Sequence, residues 1–224
     1  AAFRGMARVR GSATCHGVVT AHHADDQAET LLMRIMRGTG IDGLAGIAPD
    51  ATVHGVRLLR PLLNIRRREL QKWLAEIHQG WREDATNASV RYLRNRVRHT
   101  VMPMLNVLWP RGVDAIGRLA RLAADAQQLL DLEVAAQLAA HPVVQHKSAI
   151  LMNRTMLRTA PPAVASEILR QTIESAGGSR QSADYERIAE ALRLARTRIG
   201  GKKIEAGAGI TIHFDGDVVR VERP

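Results

Sequence analysis

The sequence predicts an α/β protein, with part of a parallel-sheet domain followed by a mostly α-helical region and a small C-terminal β-hairpin. A short β-branched run, His16–Ala21, is typical of a buried parallel strand, and a helical pattern follows it over Ala24–Arg37. A long amphipathic pattern over Gly112–Ala140 predicts a helix. Residues alternate on both sides of an Asp-Gly pair in Gly209–Glu222, which predicts the hairpin.

The segments between these elements are less regular. We expect a glycine-rich connector over 38–49 and then a strand over 54–63 that ends at Pro61. Helices are expected over 65–78, with Asn64 as the cap, and over 90–105, with Pro103 as an interruption. Two later helices are expected over 162–176 and 182–199. We expect three regions: residues 1–109, the parallel-sheet domain with a basic helix; 110–200, a helical domain; and 201–224, the hairpin tail.

The composition is that of an ordinary globular protein. The 224 residues are 46% hydrophobic and 24% charged, which excludes disordered, collagen-like and disulfide-scaffold proteins. Cys15 is a single cysteine and fits a reducing cytosol, so we expect a cytoplasmic protein. No run approaches the roughly 18 apolar residues of a membrane helix, and we expect no membrane partner.

The positive charge is concentrated in one band of the sequence. The formal net charge is +10, and residues 51–100 hold eleven basic and four acidic side chains, whereas residues 1–50 hold five of each. Arginine supplies 28 of the 32 basic side chains, and its planar guanidinium pairs well with phosphate. This pattern favours a polyanionic partner such as nucleic acid, but a solvated basic face without a ligand explains the charge equally well.

The densest group of chemically active residues runs from His22 to Thr30. On a helix His22, Asp26 and Glu29 share one face, at a strand-to-helix edge. Such a group can bind Mg²⁺, hold an ammonium group or move a proton. Asp25 and Asp26 can also serve only as partners of a helix N-terminus, and a transition-metal site fits the spacing less well.

A second group is the basic segment from Arg91 to His99. Its arginines and asparagine recur three and four residues apart and predict a phosphate-binding stripe; these residues are Arg91, Arg94, Asn95 and Arg98. Pairing with Glu83 and Asp84, just before the segment, is the structural alternative. Arg66, at a predicted helix start, is a weaker RNA-binding candidate, since short charge runs are usually solvated.

These residues carry a family resemblance. The segments HHADDQAETLLMRIMRGTGIDGLAGI, RPLL, WREDATN and RYLRNRVRHTVMPML stand at residues 22–47, 60–63, 81–87 and 91–105. Their order and spacing resemble those of the bacterial tRNA(Ile)-lysidine synthetases, which belong to the PP-loop (N-type ATP pyrophosphatase) superfamily. The resemblance covers about residues 1–105, and residues 110–224 carry no motif that supports it.

The resemblance implies a PP-loop domain with an adenine nucleotide alpha hydrolase-like fold, followed by helical RNA-contacting parts. Its implied reaction adenylates the C2 oxygen of the wobble cytidine in the CAU anticodon of tRNA(Ile), and the lysine amine then displaces AMP to give lysidine. ATP and Mg²⁺ are the implied cofactors. The implied partners are this tRNA and L-lysine, and a homodimer is compatible with the resemblance.

The resemblance also implies roles for individual residues. His22 and Asp26 would be catalytic, at the reacting nucleotide and the magnesium edge, with Asp26 as the Mg²⁺ contact. Asp26 and Glu29 would hold the ammonium group of lysine, and the basic segment would contact tRNA.

The sequence departs from the family in one large respect. Family members carry an SGGxDS loop that cradles the pyrophosphate of ATP, and the 224 residues contain no such motif. We therefore expect the chain to begin inside the catalytic domain and to be inactive alone.

Two alternatives remain open. One is a non-catalytic RNA-binding remnant of the family, and the other is a small metal-dependent hydrolase built on His22, His23 and Asp26. Other PP-loop enzymes share the ATP chemistry but not this motif series.

Overall fold

The computed structural model describes residues 17–82, 91–146, 148–179, 184–197 and 200–223. The chain forms two compact units, which divide between Gln127 and Gln128. None of the helices in these described ranges combines the length and hydrophobicity needed to span a lipid bilayer.

The first unit is an α/β domain. Its elements in chain order are β1 Val18–Val19, α1 Ala24–Arg37, α2 Ile41–Leu44, β2 Asp50–Val53, β3 Val56–Leu59, α3 Arg67–Glu76, α4 Leu93–Arg96, a π-helix Val97–Val101, α5 Met102–Leu108 and the first part of α6 Gly112–Ala140. The α/β class predicted for this part of the chain is confirmed.

The described strands of this unit pair in the order β1-β3-β2. β1 and β3 run parallel, with Val18 opposite Leu58, and β2 runs antiparallel to β3. The prediction of one strand over 54–63 was wrong at its start, because His54 and Gly55 form the turn between β2 and β3. Both have positive φ angles, 51° and 78°, as a tight hairpin turn requires.

α1 has the bounds that the sequence predicts. His23 is its N-cap, acidic residues fill its first turn, and Gly38 ends it with a φ of 78°. Ala28 on its inner face is fully buried and packs with Met102 and Val113 in the small core of this unit.

The glycine-rich connector after α1 folds back along that helix. The side-chain amide of Gln27 donates to the Ile47 carbonyl and its oxygen accepts from the Ile47 N–H, while Arg34 donates to the Gly43 and Gly46 carbonyls. Gly46 has a φ of 69°, and a Cβ there would lie 2.4 Å from Leu31. Glycine is therefore required at this point of the connector.

The basic segment is helical but not one continuous α-helix. The predicted helix over 90–105 divides into α4, the π-helix and α5, and residue 90 lies outside the described residues. The Met102 N–H reaches the Val97 carbonyl, five residues back, and Pro103 follows without an N–H of its own. α3 starts later than predicted, because Arg66, and not Asn64, is its N-cap residue.

The second unit packs helices against an antiparallel sheet. After the end of α6 its elements are β4 Val144–His146, β5 Ala149–Asn153, α7 Arg154–Thr159, α8 Pro162–Ser175, α9 Tyr185–Arg196, β6 Lys202–Gly207, β7 Ile210–Asp215 and β8 Val218–Glu222. The predicted hairpin is β7 and β8, and the described strands pair in the order β4-β5-β8-β7-β6. The domain boundaries at 109 and 200 stay a prediction.

Arg154 is buried in the second unit because it satisfies carbonyl groups that have no helical partner. Its guanidinium donates to the Leu194 and Ala195 carbonyls at the end of α9, and to Gly216 in the β7–β8 turn. It also lies 5.6 Å from the ring centroid of Phe214, within cation–π range. One side chain thus ties the helix end to the hairpin.

In the first unit a buried arginine has a similar joining role. Arg66 is only 5% exposed, and its guanidinium donates to the Asp25 carboxylate and to the Asn106 side chain. The other Asp25 oxygen accepts from the Arg67 N–H at 2.7 Å, and Asp114 lies 3.6 Å from the Arg66 guanidinium. The starts of α1 and α3 and the helices α5 and α6 meet at this cluster.

Replacing the Asp25 carboxylate should make stability depend less on pH. Burial raises the pKa of Asp25, but the hydrogen bonds from Arg67 and Arg66 outweigh burial, so the pKa lies below its ordinary 3.8. The charged form therefore stabilises the folded state above pH 3.8, and this contribution is lost as the pH falls through the lower folded-state pKa. We expect Asp25→Asn to lower the free energy of unfolding by about 2 kcal/mol at pH 7.

Chemical denaturation at several pH values measures this difference, which should shrink below pH 3.8. Asp50→Asn is the matched control, because Asp50 also pairs with an arginine, Arg57, but at an exposed position. Equal losses of stability in the two variants, at all pH values, would contradict the role given to Asp25.

Candidate functional site

The candidate site lies where β1 ends and α1 begins. A cavity of about 360 Å³ opens at this edge, and its lining residues are Ala21, His22, Asp26, Arg94, Asn95 and Arg98. The carboxyl ends of parallel strands are where α/β sheets bind ligands. Five of the predicted site residues are thus in the lining, and three are not: Glu29, Arg66 and Arg91.

His22 is a neutral group at physiological pH. Burial lowers the pKa of its imidazole below 6.5, and the charges of Arg60, Arg94 and His23 lower it further, although Asp26 acts in the opposite direction. Its Nδ1 lies 2.9 Å from the Thr20 hydroxyl, which orients the ring. A neutral histidine that lines a cavity can accept a proton from a bound ligand.

His23 has a structural role at the start of α1. Its Nδ1 accepts from the Asp26 N–H at 3.4 Å, while its own N–H donates to an Asp26 oxygen at 3.0 Å. This reciprocal pair is a capping box. The neighbouring histidines therefore differ, since His22 lines the cavity and His23 caps the helix.

Asp26 and Glu29 face two arginines of the basic segment. Arg94 donates from Nε to Glu29 at 3.1 Å and from a terminal nitrogen to Asp26 at 3.0 Å. Arg98 donates to both Glu29 oxygens, at 2.7 and 2.9 Å, and to Asp26 at 2.8 Å. We call these four residues the ionic cluster; Glu29, at 2% exposed, is its most buried member.

Arg98 is firmly held in its charged form. The hydrogen bond to Glu29 raises the pKa of Arg98 above its ordinary value, against the lowering effect of burial, and the Glu29 and Asp26 charges add to the rise. The sequence left open that the arginines of the basic segment pair with nearby acids. Arg94 and Arg98 do pair with acids, but these are Asp26 and Glu29. Glu83 and Asp84 lie outside the described residues.

The predicted tRNA-binding residues fall into different surroundings. Arg66 is buried in the cluster with Asp25, away from the lining residues of the cavity, and Asn95 is 8% exposed. Arg91 is exposed, and Arg94 has 39% of its side chain exposed. Contact with tRNA stays a prediction for all of them.

Arg60 is a site residue that the sequence analysis missed. It follows β3 as His22 follows β1, so both stand at the same edge of the sheet, and its charge acts on His22. Its guanidinium donates to the Ala48 carbonyl at 2.7 Å, while its buried Nε has no hydrogen-bond partner among the described residues. Arg60 could have been found from its sequence position, because it lies in the motif RPLL at the end of a predicted strand.

The described carboxylates do not form a ready metal site. Among the residues that the structure describes, no group of three or more His, Cys, Asp and Glu side chains could hold a metal ion. The oxygens of Asp26 accept from Arg94, Arg98 and the His23 N–H, and Asp25 is held by Arg66. The predicted Mg²⁺ contact of Asp26 does not fit this arrangement.

Comparisons with known proteins identify a matching domain family and several similar proteins. Residues 3–105 match the PP-loop domain family. A tRNA(Ile)-lysidine synthase of Solibacter usitatus is 34% identical over 187 residues, which cover 83% of this chain and 42% of the relative.

Two further relatives bear the same name. The protein of Chlorobaculum tepidum is 34% identical over 196 residues, which cover 87% of this chain and 56% of the relative. The protein of Rhodopirellula baltica is 44% identical over 117 residues, which cover 52% of this chain and 30% of the relative. The chain thus spans only about half, or less, of the length of these curated relatives. The PP-loop match over residues 3–105 includes the motif series and the ionic cluster, and together with these relatives it supports assigning the chain to the tRNA(Ile)-lysidine synthase family of PP-loop proteins.

Proposed function

We propose that the protein carrying this chain joins L-lysine to C2 of the wobble cytidine in the CAU anticodon of tRNA(Ile), with ATP as the activating substrate and in the cytoplasm. One observation carries the proposal: acidic groups suited to an amine and basic groups suited to a polyanion meet around one cavity, in the ionic cluster. Family membership supports it, because the relatives that match this chain are named for this modification.

Asp26 and Glu29 are the proposed receptors of the substrate amine. Their carboxylates lie on one face of α1, and Asp26 lines the cavity. Carboxylates in a partly buried site stabilise an ammonium group by charge-assisted hydrogen bonds. Both residues precede the basic segment in sequence by more than sixty positions, so the amine site depends on the folded unit.

His22 is the proposed acceptor of the proton that the amine must lose. As the amine nitrogen forms its bond to C2 of the adenylated cytidine, the bond from C2 to the oxygen of AMP breaks and AMP leaves. The bound ammonium first loses one proton to the neutral imidazole of His22, which makes the nitrogen nucleophilic. The proton that the nitrogen carries in excess after the bond has formed passes to water. His22 can be given this role because it lines the cavity.

No residue of this chain is assigned to the binding of ATP. The 224 residues include no SGGxDS sequence, so we assign none of them to the phosphates of ATP. Since the carboxylates of the site are engaged by arginines, no proposed step passes through a metal ion. The alternative function is RNA binding without catalysis.

Lysine transfer should require both this chain and a phosphate loop. We expect the 224-residue chain to incorporate no lysine, and a fusion to an SGGxDS-bearing N-terminal segment of a curated relative to incorporate lysine in an ATP-dependent reaction. Incorporation of radioactive lysine into tRNA with a CAU anticodon measures this, and the same tRNA with uridine at the wobble position is the control. A fusion that binds the tRNA but never releases AMP or pyrophosphate would favour the non-catalytic alternative.

The pH profile of transfer tests His22. Because its pKa lies below 6.5, we expect single-turnover transfer from adenylated tRNA to reach a plateau near pH 7 in the fusion protein. His22→Gln should be slower by about a hundredfold and should lose the plateau, because the rate then follows ionisation of the amine alone.

His146→Gln is the matched control for this experiment, since His146 is exposed on a strand of the second unit. A His22→Gln protein with the parental rate and profile would remove His22 from the proposed mechanism.

Binding of tRNA to the 224-residue chain tests the basic segment. We expect Arg91→Ala to weaken binding by about fivefold for all tRNAs alike and to lower the salt dependence by about one ion, as loss of a phosphate contact does. Fluorescence anisotropy at several salt concentrations measures both values. Arg57→Ala is the control, because Arg57 is paired with Asp50. A tRNA affinity that changes neither with salt concentration nor in the Arg91→Ala variant would contradict phosphate contact.

A further inference from the structure

The carboxylates proposed to receive the amine are already neutralised. Asp26 and Glu29 carry two negative charges, and Arg94 and Arg98 supply two positive charges through hydrogen bonds of 2.7 to 3.1 Å. An approaching ammonium group therefore meets a cluster without net charge. It can bind the carboxylates only if a guanidinium gives up its place.

The bound ammonium group has to replace one of the two guanidinium groups. Glu29 is 2% exposed, and a buried carboxylate that lost a partner without replacement would be strongly destabilised. An ammonium that enters as a guanidinium leaves keeps the charge balance. Its three N–H donors can reach more than one carboxylate oxygen.

The two arginines are held unequally. Arg98 makes three hydrogen bonds, none longer than 2.9 Å, contacts both oxygens of Glu29 and has 19% of its side chain exposed. Arg94 makes two, at 3.0 and 3.1 Å, and has 39% of its side chain exposed. Because Arg94 is bound by fewer and longer contacts and is already partly solvated, its release costs less than that of Arg98.

We propose that Arg94 is an exchangeable counter-ion and Arg98 a permanent one, so that the substrate ammonium replaces Arg94 on Asp26 and Glu29 while Arg98 stays in place. This inference rests on the proposed function, because it presumes that the two carboxylates receive an amine. Departure of Arg94 leaves one acceptor position open on each of two oxygens, Asp26 Oδ1 and Glu29 Oε2, while Arg98 keeps its own hydrogen bonds to both.

Exchange would also make the site selective. A ligand without a positive charge cannot compensate Asp26 and Glu29, so Arg94 would stay in place and keep its acceptor positions on their oxygens occupied. Arg94 is thus a specificity-determining residue that acts by competition, and Arg98 is a positioning residue that keeps Glu29 charged and oriented.

NMR spectroscopy of the arginine Nε–Hε groups of the 224-residue chain tests the exchange directly. Arg94 and Arg98 both donate from Nε to Glu29, so each has a hydrogen-bonded Nε–Hε signal, to be assigned with Arg94→Lys and Arg98→Lys. We expect L-lysine and n-butylamine to shift or broaden the Arg94 signal and to leave that of Arg98 unchanged. L-norleucine, which lacks the side-chain ammonium, should change neither.

The affinity for n-butylamine gives a second readout. Arg94→Gln removes the competing cation and should tighten n-butylamine binding by about fivefold, whereas Arg94→Lys keeps a competitor and should leave it near the parental value. A merely structural Arg94 would give weaker binding in Arg94→Gln.

The outcomes separate this inference from the proposed function. If neither amine perturbs either arginine, the amine site itself is wrong, and the proposed function loses its lysine-binding residues together with this inference. If the amines bind but shift both signals equally, or Arg98 alone, the unequal roles are overturned while the amine site stands. Weaker n-butylamine binding by Arg94→Gln would likewise overturn the exchange.

Discussion

The first unit depends on two adjacent carboxylates that point to different partners. Asp25 and Asp26 stand at the second and third positions of α1, about 100° apart around the helix axis, so their side chains leave in different directions. Asp25 holds Arg66 and the start of α3, and Asp26 holds Arg94 and Arg98 of the basic segment. One helical turn thus fixes two distant parts of the chain around the cavity.

The π-helix lets one helical segment reach both sets of contacts. Arg94 and Arg98 lie before or inside it and contact Asp26, whereas Asn106 lies after it and contacts Arg66. The wide turn adds a residue, which rotates the following helix by roughly 100° relative to a continuous α-helix. Pro103 favours this break since it cannot donate a helical hydrogen bond.

Local patterns in the sequence were sufficient to predict those elements that are stabilised by their own residues. α1 and α6 have the predicted bounds, because caps, end charges and apolar spacing all act within each helix. The hairpin of β7 and β8 is likewise predicted by its turn. β4, β5 and β6 were missed: β4 and β6 are the two edge strands, and β5 pairs with β8, a partner far along the chain.

The site was predictable in its residue types but not in its pairing. The motif from His22 to Thr30 locates the acids, and the basic segment locates the arginines. Their partners are 65 to 72 positions apart, however, and no spacing rule within a helix or strand can connect them. The burial of Arg66 was equally hidden, because charge runs usually face solvent.

This pairing changes what the charge distribution means. Residues 1–50 are neutral as a segment and residues 51–100 carry the basic surplus, yet acids of the first segment neutralise arginines of the second. Four ion-paired arginines are involved: Arg57, Arg66, Arg94 and Arg98. A polyanion would therefore find these four guanidinium groups occupied by carboxylates. If an ammonium displaces Arg94, its guanidinium is released, so binding of the amine would make one more positive charge available for contact with RNA.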